Sequence, residues 1–352
     1  MKINLGSLAF CALTAVFIFT SCDKNSDTQP LGKYQHGVFI VQEGQFGHGN
    51  SGISFYMPDS LKVINNIFTL TNSRSLGDIA ESLTFLNNTY YIVVNNSNKI
   101  EVVNANFTSV GVIKDSIDQP RFLLTVNSQK AYISQWTSTG KGNVAVLDLS
   151  TNKVTKRIAL NQGPEKMVLC NNHVYVLNGG GLTNDSTVSV IDAGTDKLLT
   201  TIKVGYNPNS IQLDKNNKLW VLCSGMWKGD WSALAKTGLL VQIDPADNTV
   251  KKTITLGSLY SQPASLATNQ SKDKLIYAYD SKIYEQNIDG SAASIKLNRN
   301  FYKLDVNPAN GDVYATDPKN YSSDGWVIRY NSAFAVVDSF KVGIVPGEIL
   351  FN

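Results

Sequence analysis

The chain of 352 residues is poor in the side chains that carry most catalytic chemistry. It has three histidines, His36, His48 and His173, and four cysteines, Cys11, Cys22, Cys170 and Cys223. Of the histidines only His48 is expected where a ligand could meet it, and one imidazole gives no metal-site spacing. No G-x-S-x-G elbow, H-E-x-x-H pair or P-loop occurs. The run Gly179-Gly-Gly181 has no helix signal after it, so it is no dinucleotide cradle. Charged residues make up only 17%, the formal net charge is +3, and no basic block stands out. That excludes the electrostatic footprint of a nucleic-acid binder. Hydrophobic residues at 43% exclude a disordered chain. The apolar run Leu5–Phe19, about fifteen residues, falls short of the ~20 that span a bilayer.

That run nevertheless has a purpose. Lys2 precedes it, and Phe19-Thr20-Ser21-Cys22 ends it. A basic start, an apolar middle and small residues before a cysteine resemble a bacterial lipoprotein signal, with Phe19 where Leu is usual. Residues 1–21 are therefore expected to be a signal peptide, and Cys22 the lipidated residue that anchors the protein to a membrane. Removing 1–21 takes away one Lys and no acid, leaving +2. Residues 22–36 are polar with a proline and read as a flexible tether. The acidic and polar residues after Cys22 resemble the export signal of surface lipoproteins in Bacteroidota. The expected location is the outer membrane, at the cell surface. Cys170 and Cys223 lie in apolar strand-like runs and are expected to be buried free thiols, although an exported protein could pair them.

The rest is repetitive. A Pro, two variable residues and an aliphatic recur as Pro120–Leu123, Pro164–Met167, Pro208–Ile211, Pro263–Leu266 and Pro346–Ile349. Ala80–Leu83 and Phe301–Leu304 are degenerate copies. The mean spacing is about 44 residues, the period of a propeller blade of four short strands. Each unit continues with β-branched and aromatic runs, such as Lys130-Ala-Tyr-Ile and Lys218-Leu-Trp-Val. A third run ends in Asp, as in Val144–Asp148 and Val188–Asp192, and a turn leads to a fourth. No longer stretch has a helical period; only the short insert Trp231–Lys236 admits one. Seven opening strands exist, but nothing follows the last, while residues 38–68 supply Val38–Val41, Ile53–Tyr56 and Leu61–Phe68 with no opening strand before them. Joining head to tail completes the set and pairs otherwise exposed edges. The expected fold is all-β: a seven-bladed β-propeller over residues 37–352, one domain, with its last blade closed by N- and C-terminal strands.

The four-strand period with its "VxVID…T…V" phrasing resembles the YVTN-type β-propeller family over nearly all of residues 37–352. The phrase from Gly37 to Asn50, followed by Ile53-Ser-Phe-Tyr56, is similar to a subfamily of Bacteroidota surface lipoproteins, many described only as carrying a domain of unknown function. That subfamily includes proteins that capture cobalamin and pass it to a TonB-dependent transporter. The resemblance implies a surface binding module for cobalamin or another scarce nutrient, as bound ligand and not as cofactor.

Ligand-binding groups are expected on the face where the innermost strands begin, because the loops between second and third strands share it. Those loops hold Phe46 and His48, Trp136, Trp227 and Trp231, and Tyr321. Aromatics there offer contact area at little entropy cost, or else cap their own blades. Trp220 and Trp326 read as core. The residues after the opening prolines should ring the channel mouth: Glu81, Arg121, Glu165, Asn209, Tyr302 and Glu348, with Arg74 in a loop nearby. No catalytic residue is expected. Two alternatives stay open. One is an enzyme, lactonase-like around a cation or quinone-dependent, using Glu81, Glu165 and Asn209. The other is a protein–protein scaffold.

Overall fold

A computed structural model describes residues 32–352; the segment 1–21 expected to be a signal peptide and the expected lipidation site Cys22 lie outside the described residues. Seven four-stranded antiparallel sheets form the body, as expected. Six run in chain order. Their innermost strands are Ala80–Leu86, Pro120–Asn127, Pro164–Cys170, Pro208–Leu213, Ala264–Thr268 and Leu304–Val306, for blades 2 to 7. Blade 1 takes its innermost strand from the C-terminus, Pro346–Phe351, and the other three from the N-terminus, Val38–Gln42, Gly52–Met57 and Lys62–Ile64. Ile349 pairs with Ile40, and Leu350 with Phe39. Gly37 and Asn352 exchange two backbone hydrogen bonds, of 3.2 and 3.0 Å, which close the seam.

The core is not one mass but seven apolar clusters, each between neighbouring blades. Alternate residues of one strand enter different clusters. In Val38–Gln42, Phe39 and Val41 pack toward blade 2, and Val38 and Ile40 toward blade 7. In Leu219–Cys223, Val221 and Cys223 face blade 4, and Trp220 and Leu222 face blade 6. Both faces of a middle strand are thus buried, so these strands read as continuous apolar runs. Cys170 and Cys223 are both buried free thiols in the cluster between blades 4 and 5. Trp220 is fully buried and donates its indole N–H to Asp214 at 3.0 Å. Trp326 packs against the cluster between blades 6 and 7.

Local chemistry sets the turns. In blades 3, 4 and 5 the Asp ending the third strand accepts backbone N–H groups two or three residues on: Asp148 from Ser150, Asp192 from Gly194 and Thr195, Asp244 from Ala246. These bonds hold the carboxyls of Asp148 and Asp192 below their ordinary range. Asn87-Asn88 and Asn171-Asn172, all with positive φ, make the tight hairpins between innermost and second strands.

Three expectations need correction. The insert Trp231–Lys236 is no helix: Met226–Trp227 and Leu234–Lys236 pair as a small antiparallel hairpin. Leu61–Phe68 is not one strand; the strand stops at Ile64, and the chain turns at Asn66 into a six-residue helix, Ile67–Asn72, that buries Ile67 and Phe68. The tether does not extend to residue 36. Tyr34 is buried among Phe39, Phe55 and Phe107, with ring centroids 5.3 to 6.5 Å away. Its aromatic surface is worth more inside than as linker.

Candidate functional site

The innermost strands share a second feature that shapes the channel. In six of seven blades the pairing register shifts just after the strand begins, as between Pro164 and Met167 or Pro120 and Leu123. Such a bulge sets two residues of one strand against one of its neighbour and re-aims their side chains. The Pro-x-x-aliphatic phrase is its signature. Both variable residues therefore reach the axis instead of one: Glu165 bonds across to Arg121 while Lys166 lines the cavity.

That cavity, about 210 Å³, lies at the top of the channel, where the innermost strands begin. All seven blades line it, and its charged groups are Glu43, Glu81, Lys166, Lys303, Asp305 and Glu348. Arg121 closes one side. Its Nη1 meets Glu81 at 2.6 Å and its Nε meets Glu165 at 3.2 Å, with the guanidinium 4.1 Å from the centre of the Trp136 ring. Two carboxylates and an aromatic face keep this arginine charged and fixed. Tyr302 donates to Glu43 at 2.9 Å and sits edge-on to Tyr321, with centroids 5.7 Å apart. Leu83 N–H donates to Glu348 at 3.1 Å and Val306 N–H to Asp305 at 2.8 Å. Asn209 is committed to Ser224 and the Pro263 carbonyl.

Five acids and three bases meet here, and the surroundings shift them. Burial, with Glu81 adding to it, pushes Glu43 up to about 7. Burial likewise pushes Glu348 up to about 7, against the pull of Lys166. Asp305 and Glu165 are also raised, first by burial, with Lys166 opposing the one and Arg121 the other. Among the described residues, Lys166 and Lys303 have no carboxylate within ion-pair distance, and Asp305 and Glu348 have no cation within it. Lys166 lies 5.5 Å from the Phe122 ring and Lys303 5.0 Å from the Tyr302 ring.

The expected site residues separate into groups. Arg121, Glu165 and Trp136 come together at the channel mouth, and Tyr321 packs against Tyr302, which donates to Glu43 of the cavity lining. Trp227 and Trp231 form a pair on the blade 5 hairpin, 6.3 Å apart. Phe46 and His48 stand exposed on the blade 1 loop, which Gly47 N–H ties to Asp78 at 2.9 Å. Arg74 does not belong to the ring. It pairs with the fully buried Glu101 and with Ser109 on the outermost strand of blade 2, because a carboxylate in the third strand needs counter-charges that Lys99 alone does not complete. Glu43, Lys166, Lys303 and Asp305 were not expected.

The same top face carries exposed apolar side chains. Phe46, Leu182, Trp231 and Tyr260 are exposed by 76, 91, 73 and 74%. All four lie in loops of the top face, from blades 1, 4 and 5 and the passage into blade 6. They are the only large apolar side chains of the described residues exposed above 70%. The blade 4 loop owes its course to glycine: a Cβ on Gly163 would lie 2.0 Å from Gly181 N, and both take positive φ. This crossing sets Gly181 against the Trp136 indole. The acids do not form a cation seat. Among the described residues no three His, Cys, Asp or Glu groups are grouped to hold a metal ion, and Glu81, Glu165 and Glu43 are already engaged.

Solved structures of the same architecture are distant in sequence. A quinoprotein alcohol dehydrogenase-like protein from Bacteroides thetaiotaomicron superposes with a TM-score of 0.68 at 15% identity, over 90% of this chain and 78% of that one. A functionally unknown protein from Desulfotomaculum acetoxidans gives 0.66 at 12%, over 90% and 98%. Hydrazine synthase from Kuenenia stuttgartiensis gives 0.57 at 14%, over 70% and 74%. At these identities the likeness concerns the fold. No curated protein matches. One family model covers most of the propeller, residues 36–339, and by it this chain belongs to the family described as Domain of unknown function (DUF5074).

Proposed function

We propose that the protein is a binding module, lipid-anchored through Cys22 at the outer surface of the outer membrane. Its top face captures a small nutrient and presents it to a TonB-dependent transporter. One observation supports this reading: the four most exposed large apolar side chains lie in loops of the face at which the polar cavity lies. Exposed apolar groups scattered singly need no explanation, but several on the face of a polar cavity favour a binding surface. A cavity of about 210 Å³ is below the ~300–1,000 Å³ of drug-sized sites, so a corrinoid cannot enter it. Cobalamin would instead lie over the mouth, against Phe46, Trp231 and Tyr321.

The test uses residues 23–352 and native mass spectrometry, with cobalamin and a panel of metallo-nutrients. We expect a retained ligand whose affinity falls ~10-fold or more in the Phe46→Ser/Trp231→Ser variant, since anchors of this kind are each worth about 1–2 kcal/mol. A ligand held equally by the variant, or none held by the parent, overturns the proposal.

A further inference from the structure

The channel charges have a peculiarity that a structural role does not explain. Glu81 and Glu165 are matched to Arg121. Lys166 and Lys303, on blades 4 and 7, point two ammonium groups at one cavity without a contacting carboxylate. Asp305 and Glu348, on blades 7 and 1, reach the same cavity, each held by a single backbone N–H. Four ionisable side chains thus converge on one space and stop short of each other. Charges of opposite sign that served only stability would close into contact, because an unpaired buried charge is costly. Their separation leaves room for a third party that completes both sets. Blade 6 adds Ser265, in a left-handed conformation with φ of 55° and a buried hydroxyl that has no hydrogen-bond partner. Backbone strain of that kind concentrates at ligand sites.

Resting on the reading of the protein as a binding module, we propose that the channel cavity is a subsite for a small zwitterion. Its anionic group would meet Lys166 and Lys303, and its ammonium group Asp305 and Glu348. The volume suits a molecule of free amino-acid size and excludes drug-sized ones. Protonation of Glu348 removes one acceptor for the ammonium group. The charged groups facing Glu348 are Lys166, Glu81 and Asp305. Binding should therefore strengthen from pH 6 to pH 8 as Glu348 ionises, with Glu43, which lines the same cavity and is raised to about 7, adding negative charge over the same window.

The experiment is isothermal titration of residues 23–352 with the twenty free L-amino acids, followed by the N-acetyl and the amide derivative of each that binds. We expect at least one zwitterion to bind, both derivatives to lose ~10-fold or more, and Lys303→Met and Glu348→Gln each to lose a similar factor. A thermal melt verifies that both variants are folded. No binding by any amino acid overturns the subsite, as do derivatives that bind as well as the parent compound. These outcomes are separable from the function proposed above. A corrinoid or other nutrient that still depends on Phe46 and Trp231, while no zwitterion binds, leaves that reading standing and removes this one.

Discussion

Glu348 shows how one residue can link fold and site. In the unfolded chain its carboxyl titrates near 4.5; burial in the channel raises it to about 7. The folded protein therefore binds more protons than the unfolded chain between those values. Stability falls as pH rises through that window and levels off above 7. Glu43 acts in the same direction over the same range. Without ligand, Glu348→Gln should match the parent at pH 4.5 and exceed it at pH 8. The gain is on the order of 1–2 kcal/mol once water reaching the channel is discounted. Thermal melts at the two pH values decide it; a glutamine variant less stable at pH 8 would refute the burial argument. The ring residue itself was legible in the sequence, because it follows a repeated proline. Lys166 and Lys303 were not, since strict strand alternation sends the next side chain into the core between blades. In blade 4 the bulge brings Lys166 to the axis; blade 7 has no register shift, and Lys303 stands just before its innermost strand Leu304–Val306. Arg74 misled for a different reason: its partner Glu101 lies 27 residues away inside a strand, and sequence proximity to the mouth carries no information about that pairing.

At the scale of elements, the repeat was readable because most blades solve the same local problems with similar residues: an outer turn closed by Asp or Asn, an apolar second strand and, in six of the seven, a bulged inner strand. Elements outside the period were not. Ile67–Asn72 and the Met226–Lys236 hairpin occur once each and have no second copy to confirm a pattern. The closing strand Pro346–Phe351 was legible only by subtraction, as an opening strand without followers. Its contribution can be isolated. A chain ending at Ile344 loses the whole ladder to Val38–Gln42 and leaves Phe39 and Ile40 beside an open edge. We expect it to melt without a sharp transition or to aggregate, and a synthetic peptide of residues 345–352 to restore cooperativity by adding as a strand. A truncated chain melting within about 3 °C of the parent, which corresponds to roughly 1 kcal/mol, would mean that packing between blades suffices.

For the whole molecule, the question is what the stitched blade does that seven complete blades would not. Each apolar cluster joins only neighbours, so the ring is a circular chain of seven interfaces. Opening any one of them converts the ring to an arc with two exposed faces. In the native order the chain itself spans every interface, with Val345 joining blade 7 to blade 1, so the ring can open fully only by breaking the β-ladder inside blade 1. Two circular permutants separate this effect from composition. Both join Asn352 to Gly32 through a short Gly/Ser linker, which the contact of Asn352 with the Tyr34 carbonyl at 3.0 Å permits. One is opened between Thr139 and Gly140, in the exposed blade 3 loop, and so has blade 3 stitched from its two ends. The other is opened between Asp115 and Ser116, where blade 2 passes into blade 3, and has seven complete blades and no stitch. The first should melt close to the parent. The second should melt lower by roughly 4–8 °C, on the order of 2 kcal/mol, and unfold faster, because the interface around Tyr91, Val93, Leu123 and Ile133 then holds the ring closed by side-chain packing alone. Equal melting temperatures for the two would place ring stability in the interfaces themselves and leave the shared blade as a consequence of how the chain happens to begin.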